Sequence, residues 1–243
     1  MRLKKEKTLV VLAGPNGSGK STYRLLETSL HDLPFVNADD IAKTYGTVGE
    51  IESLKAQQEA QNQIADYLSR GESFCFETVF SHESKVQLIE NAKELGYIVL
   101  LYIINPGNSN LNIIRVKERV KKGGHDVPVD KILSRISRTL QNLKKALPLV
   151  DGFFIINSSG ASGTRFLIEA SKAPQQEVKT HNDLSDWAKD LLAVIQQADV
   201  PEVNKPTLQL VQSTPDACAK CGAPLRGKKR KKFGICSKCA PRY

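Results

Sequence analysis

One stretch, Gly14-Pro15-Asn16-Gly17-Ser18-Gly19-Lys20-Ser21-Thr22, constrains this chain more than any other. It has the form Gly, four residues, Gly-Lys-Ser. Glycines at these positions let the backbone curl so that successive N–H groups face one anion, and the lysine neutralises phosphate charge. The Ser21 hydroxyl falls where such loops ligate Mg²⁺. The context fits: the apolar, β-branched run Thr8–Ala13 precedes the loop, and a helix is expected from about Lys20. A strand that feeds a phosphate loop and then a helix belongs to a parallel α/β sheet, and the nucleotide expected in the loop is ATP.

The remaining pattern agrees. Further strands are expected at Phe35-Val36-Asn37, Ser73–Phe80, Tyr97–Ile104 and Phe153–Ile156. Helices are expected over Glu50–Arg70, closed by Gly71, and over His82–Leu95, stopped by Gly96. Two more follow, over Asn112–Val120 and Val129–Leu147, with the Gly123-Gly124 pair between them. The last carries an apolar stripe of Ile132, Ile136, Leu140, Leu143 and Leu147. Alternating strands and helices predict an α/β P-loop NTPase with a parallel five-stranded sheet flanked by helices. This domain is expected to occupy residues 1–172. A linker over 173–214, with one amphipathic helix at 183–197, then leads to a small cysteine-bearing unit at 215–243.

Several function classes drop out. No run of about 18 apolar residues is present, so no membrane span is expected. The apolar run near the N-terminus stops at Ala13, too short for a secretory signal, and a cytoplasmic location is expected. No Asn-Lys-x-Asp guanine-reading motif occurs. The strand Phe74-Cys75-Phe76-Glu77 ends in one acid followed by Thr78, rather than the acidic pair of a motor ATPase. A small kinase layout remains, in which a phosphoryl group passes to a small-molecule hydroxyl acceptor.

Such a reaction needs a carboxylate facing the acceptor and cations over the migrating phosphoryl group. Asn37-Ala38-Asp39-Asp40-Ile41 lies where a second strand should end beside the phosphate loop. Asp39 is the expected base and Asp40 an acceptor contact, although either could instead cap the next helix. Arg115, Arg119, Lys121 and Lys122 precede the glycine pair, and Arg135 and Arg138 follow it, one helical turn apart. This is lid composition: mobile arginines that reach phosphate around a glycine hinge. Arg119, as a catalytic cation, and then Arg135 are the expected phosphate contacts. His125 either joins them or merely starts the Asp126-Val127-Pro128 turn.

In this order the motifs resemble the zeta toxin family of P-loop kinases. The resemblance runs over about residues 7–170. It is carried by Gly14–Thr22, Asn37-Ala38-Asp39-Asp40, Phe76-Glu77-Thr78, Arg119-Val120, Gly123-Gly124-His125-Asp126-Val127-Pro128 and Asn157-Ser158-Ser159-Gly160. It implies ATP-dependent phosphorylation of a sugar hydroxyl on UDP-N-acetylglucosamine, with Asp39 as base and Glu77 and Thr78 on the acceptor. It also implies lid arginines on the ATP phosphates and an antitoxin-like protein partner. This chain departs from the family pattern in having Thr78-Val79-Phe80-Ser81 where a Gly-Thr-like run is usual. It lacks a second lid arginine near His125, and it carries an added cysteine-bearing tail.

That tail holds most of the formal charge. Residues 215–243 carry 9 Lys/Arg against 1 Asp/Glu, out of a net +9 for the whole chain. Cys218-Ala219-Lys220-Cys221 and Cys236-Ser237-Lys238-Cys239 are separated by 14 residues. Two such pairs can supply four thiolates to a structural Zn²⁺; a redox dithiol is the alternative. Between them, Arg226–Lys232 is a basic run followed by Phe233. It would suit nucleic-acid phosphate, a docked acidic surface, or solvent alone. Three readings follow: a metabolite kinase, a nucleic-acid kinase that docks its substrate on the tail, and an ATP-binding module without transfer. Cys75, alone in an apolar strand, is read as a small buried residue.

Overall fold

The computed structural model describes residues 6–46, 49–124, 126–160 and 166–198. Its strands are β1 Thr8–Ala13, β2 Phe35–Val36, β3 Phe74–Thr78, β4 Ile98–Asn105, β5 Gly152–Asn157, β6 Leu167–Lys172 and β7 Lys179–Thr180. The helices are α1 Lys20–Leu26, α2 Ala38–Thr44, α3 Glu50–Arg70, α4 Ser84–Glu94, α5 Ser109–Lys121, α6 Val129–Ala146 and α7 Asp186–Ala198.

The strands form one sheet in the order β2-β3-β1-β4-β5-β6-β7. β1 is central because every residue after Thr8 is apolar and buried, which is what a strand covered on both faces requires. Its neighbours β3 and β4 run parallel to it, with Ala13 opposite Thr78 on one side and Ile103 on the other. Parallel β2 and β5 flank these. The carboxyl ends of β1, β2 and β3 therefore open on the same edge, where open α/β sheets bind ligands.

The expected five-stranded parallel sheet is corrected here to a mixed sheet of seven strands. β6 returns antiparallel along β5, with a register shift between Ile155 and Ile156, and β7 pairs antiparallel with β6. β6 was missed because its burial does not alternate: Leu167 and Ile168 are partly open, and only Glu169 and Ala170 are enclosed. β7 has two residues, too few to leave a periodic signal.

Alternate residues of the strands feed two cores. Leu9, Val11, Phe76, Leu101 and Ile155 pack with Ile64 of α3, Ile89 of α4, Leu143 of α6 and Leu191 of α7. Val10, Leu12, Cys75, Tyr102 and Ile156 pack beneath Tyr23 of α1 and Leu30. Cys75 is fully enclosed, and burial pushes its thiol up to about 12, so it is chemically quiet. A third, smaller cluster of Val116, Val127 and Ile132 ties α5 to α6. Among the described residues, no helix is long and apolar enough to cross a membrane.

The segment from residue 173, expected as a linker carrying one helix at 183–197, forms β7 and then α7, whose Ala188, Leu191 and Leu192 are buried in the first core. A buried carboxylate holds this return. Glu169 is 2% exposed. It accepts from Asn157 Nδ2 at 2.7 Å, and from Ser185 N and Oγ at 3.0 and 2.8 Å. It thus ties the end of β5 to the residue just before α7.

Glu169→Leu leaves three part-buried donors without their acceptor. We expect it to cost about 3 kcal/mol, the scale of lost bonds to a buried charged group. Glu169→Gln should cost clearly less, because one acceptor oxygen survives. Urea unfolding followed through Trp187, the single tryptophan of the chain, measures both. Equal costs for the two variants would count against the carboxylate acting as the shared acceptor.

Candidate active site

The phosphate loop begins where β1 ends. Gly14 donates from N to Thr78 O at 3.3 Å, fastening the loop to the end of β3. Gly17 and Gly19 have left-handed backbone, φ +75° and +93°, and Gly19 sits immediately before α1. Gly17 also has no room for a side chain: a Cβ there would lie 2.4 Å from Asn112 O of α5. Asn112 in turn donates from Nδ2 to Asn16 O at 2.7 Å. The loop tip is thus clasped by α5, and the Ser18 hydroxyl is buried with no hydrogen-bond partner among the described residues. The remaining loop residue, Thr22, sits one position beyond Ser21 on α1, partly buried.

Lys20 is 6% exposed. Its Nζ donates to Pro15 O at 3.2 Å and lies 3.7 Å from Glu77 Oε1. Burial lowers its pKa, and the negative charge of Glu77 opposes that shift. Glu77, the penultimate residue of β3, is the hub of the site. Its carboxylate accepts from Ser21 Oγ at 2.8 and 3.1 Å and from Asn37 Nδ2 at 3.2 Å. The two phosphate-loop side chains with assigned chemistry, Lys20 and Ser21, therefore both meet Glu77.

Asn37 links this hub to the expected base. It is the N-cap of α2, and its Oδ1 accepts from Asp39 N at 2.8 Å. The capping role weighed for Asp39 or Asp40 accordingly falls to Asn37, and both aspartates lie in the first turn. Asp40 pairs with Lys43 one turn on. Asp39 stays 61% exposed, with Arg119 Nη1 of α5 3.9 Å from its Oδ2. Asp39, Arg119, Glu77, Lys20 and Ser21 thus form one continuous constellation.

Other expected residues fall around it. Arg135 of α6 donates from Nη1 to Asn16 Oδ1 at 3.4 Å. Arg115 donates to Ser158 O at 2.7 Å, beside the end of β5. Arg138 donates within its own helix, to Ser134 O. Thr78 turns its hydroxyl onto its own loop, accepting from Phe80 N at 3.0 Å. His125 lies outside the described residues, as do Cys218, Cys221, Cys236, Cys239 and the basic run between them. Among the described residues, no cluster of His, Cys, Asp and Glu could hold a metal by itself. Sequence reasoning missed Asn112 and Thr139; both are polar residues on otherwise buried helix faces, a signal that marks a specific partner.

The family profile for "Zeta toxin" matches residues 2–162. The chain belongs to the zeta toxin family. Its described part has that family's kinase-type P-loop architecture, with a mixed sheet between helices. A protein of Haemophilus influenzae described as uncharacterized is 30% identical over 122 residues, covering 50% of this chain and 86% of that protein. Among solved structures, one from the PezAT chromosomal toxin–antitoxin system of Streptococcus pneumoniae superposes with a TM-score of 0.52. It is 15% identical and spans 81% of this chain and 87% of its own. A native AvrRxo1-ORF1:ORF2 complex gives a TM-score of 0.58 at 17% identity, over 96% of this chain and 72% of that one. The same pair with ATP gives 0.56 at 18% identity, over 88% and 68%. At these identities the structural likenesses speak for the fold.

Within this zeta toxin family site, Gly17 offers a direct test of the clasp between loop and α5. Gly17→Ala combines a left-handed backbone with a Cβ driven onto a main-chain oxygen. We expect a loss of about 2–3 kcal/mol of stability. A thermal melt reads it, and an unchanged melting temperature would refute the clasp.

Proposed function

We propose that this chain is an ATP-dependent kinase of zeta toxin type, which transfers the γ-phosphoryl group to a hydroxyl acceptor with Asp39 as the base. One observation carries the reading: Lys20 and Ser21 of the phosphate loop converge on Glu77, which Asn37 ties to Asp39.

The site suits the triphosphate. The left-handed glycines leave the loop free of side-chain bulk, and the buried, unpartnered Ser18 hydroxyl can bond to an incoming group. Lys20, buried and 3.7 Å from Glu77, is held in one place where an incoming phosphate would favour its charged form. Ser21 and Glu77 would offer a hydroxyl and a carboxylate to Mg²⁺, which when bound would add charge over the phosphates. Asp39 accepts the proton as the acceptor oxygen bonds to the γ-phosphorus and the bond to the bridging oxygen of ADP breaks. Its exposure leaves it open to an acceptor from solvent. Arg119 and Arg135 stand on the two lid helices, able to follow the charge as it spreads over the migrating group.

Family membership supports UDP-N-acetylglucosamine as the acceptor, with Glu77, Thr78 and Asp40 beside it. An antitoxin-like partner is supported by the toxin–antitoxin origin of the PezAT neighbour. The nucleic-acid alternative rests on the Arg226–Lys232 run. Incubation with labelled ATP and a panel led by UDP-N-acetylglucosamine and 5′-hydroxyl RNA separates the readings. We expect label in the sugar nucleotide. Asp39→Asn should lower transfer by at least about a hundredfold, the scale of a general base, without loss of ATP affinity. Label in RNA instead would favour the second reading. No transfer to any acceptor, with ATP still bound, would leave a binding module.

The four tail cysteines are proposed to bind one structural Zn²⁺. Their paired spacing supports this. Elemental analysis of the purified full chain should give about one zinc per molecule, and Cys218→Ser with Cys236→Ser should abolish it. Zinc retained by that double variant would refute the site.

A further inference from the structure

The kinase reading uses only the first residue of a polar stripe on α6. Arg135, Thr139 and Asn142 are spaced i, i+4 and i+7, so they lie along one face of the helix. They reach two different places. Arg135 donates to Asn16 at the tip of the phosphate loop. Thr139 Oγ1 donates to Val79 O at 2.8 Å, and Asn142 Nδ2 donates to Phe80 O at 3.1 Å. Thr139 is fully buried and Asn142 is 7% exposed, so neither contact is an incidental surface bond.

The turn they grip directly follows Glu77. Three successive carbonyls there are each occupied: Thr78 O by Gly14 N, Val79 O by Thr139 and Phe80 O by Asn142. Phe80 itself is fully buried and left-handed, φ +63°. A non-glycine residue keeps that conformation only where its surroundings impose it. Here the imposing partners are the phosphate loop on one side and α6 on the other. Any shift of α6 relative to the phosphate loop must therefore be felt at residues 78–81, beside the acceptor contacts assigned above.

We infer that Thr139 and Asn142 are positioning residues that carry nucleotide seating at the phosphate loop to the acceptor-side turn Thr78–Ser81. This rests on the kinase reading. α6 is a continuous helix of 18 residues, stiff over the roughly 10 Å between its first and last contact. When nucleotide draws Arg135 from Asn16 toward phosphate, the helix takes Val79 O and Phe80 O with it. Coupling of this kind is reciprocal, so a seated acceptor tightens nucleotide in return.

Hydrogen exchange of the full chain, with and without Mg²⁺ and the non-hydrolysable ATP analogue AMP-PNP, tests this at backbone amides 79–83. In wild type we expect the analogue to slow exchange there by at least about fivefold, the lower end of typical site-to-site coupling. Thr139→Val keeps the shape and loses the hydroxyl. It should bind AMP-PNP within about threefold of wild type while losing most of that response, and Thr139→Ser should keep it. Asn142→Ser, at the far end of the stripe, should uncouple in the same way should the valine variant fold poorly. A response as large in Thr139→Val or Asn142→Ser as in wild type overturns the inference. So does AMP-PNP binding to wild type without any change at 79–83. Failure of wild type to bind AMP-PNP at all is a separate result, which overturns the kinase reading and this inference with it.

Discussion

The site depends on one carboxylate. Glu77 accepts from Ser21 and Asn37 and lies within 4 Å of Lys20. Three strand exits meet here: β1 delivers Lys20 and Ser21 through the phosphate loop, β2 delivers Asn37, and β3 delivers Glu77 itself. The strand order β2-β3-β1 is what makes this junction reachable. With β3 between the other two, its terminal acid faces both the phosphate side and the α2 side. Its near-complete burial, 10% of the side chain exposed, would be costly for a lone charge. The ammonium of Lys20, equally buried, offsets it. The pair is best understood as mutual: burial lowers the lysine pKa, and the neighbouring carboxylate restores part of the preference for charge.

Around this hub the polar contacts each have a defined partner. Asn112 and Arg135 hold Asn16, Arg115 holds Ser158, and Thr139 and Asn142 hold the turn after β3. All five donors come from α5 and α6, the pair joined by the Val116, Val127 and Ile132 cluster. These two helices therefore grip three separate loops while keeping a small apolar core of their own. Where they face each other these helices pack independently of the loops that they touch, and α6 also enters the first core through Leu143.

How much of this could be read from the chain follows the reach of each signal. The phosphate loop, β1 through β5 and the helices between them are local patterns, set by apolar period and by glycine stops such as Gly71 and Gly96. Asp39 could be named because a strand end next to a phosphate loop is where a base is expected, and Glu77 through the family resemblance. Their mutual tie through Asn37 could not, since its long arm joins Asn37 and Glu77, 40 positions apart, through their side chains. The β6–β7 return and the docking of α7 were hidden for a related reason. Pro174, Gln175 and Gln176 give residues 173–178 the look of a linker, yet what secures the return is Glu169. A charged residue in a presumed strand reads locally as solvent-facing. Only the sheet order, which places Asn157 and Ser185 beside it, makes it an anchor.

The turn Thr78-Val79-Phe80-Ser81 holds a left-handed residue that is not glycine. A glycine in this position would adopt positive φ at no steric cost. Phe80 adopts it at a cost of about 1–2 kcal/mol, offset by burial of its ring in the main core beside Ile89 and Leu143. The ring thus anchors what a glycine would leave free, and the carbonyls of residues 78–80 are then pinned from two sides. A turn made in this way has little freedom to adapt by itself. Its position is set jointly by α6 and the phosphate loop.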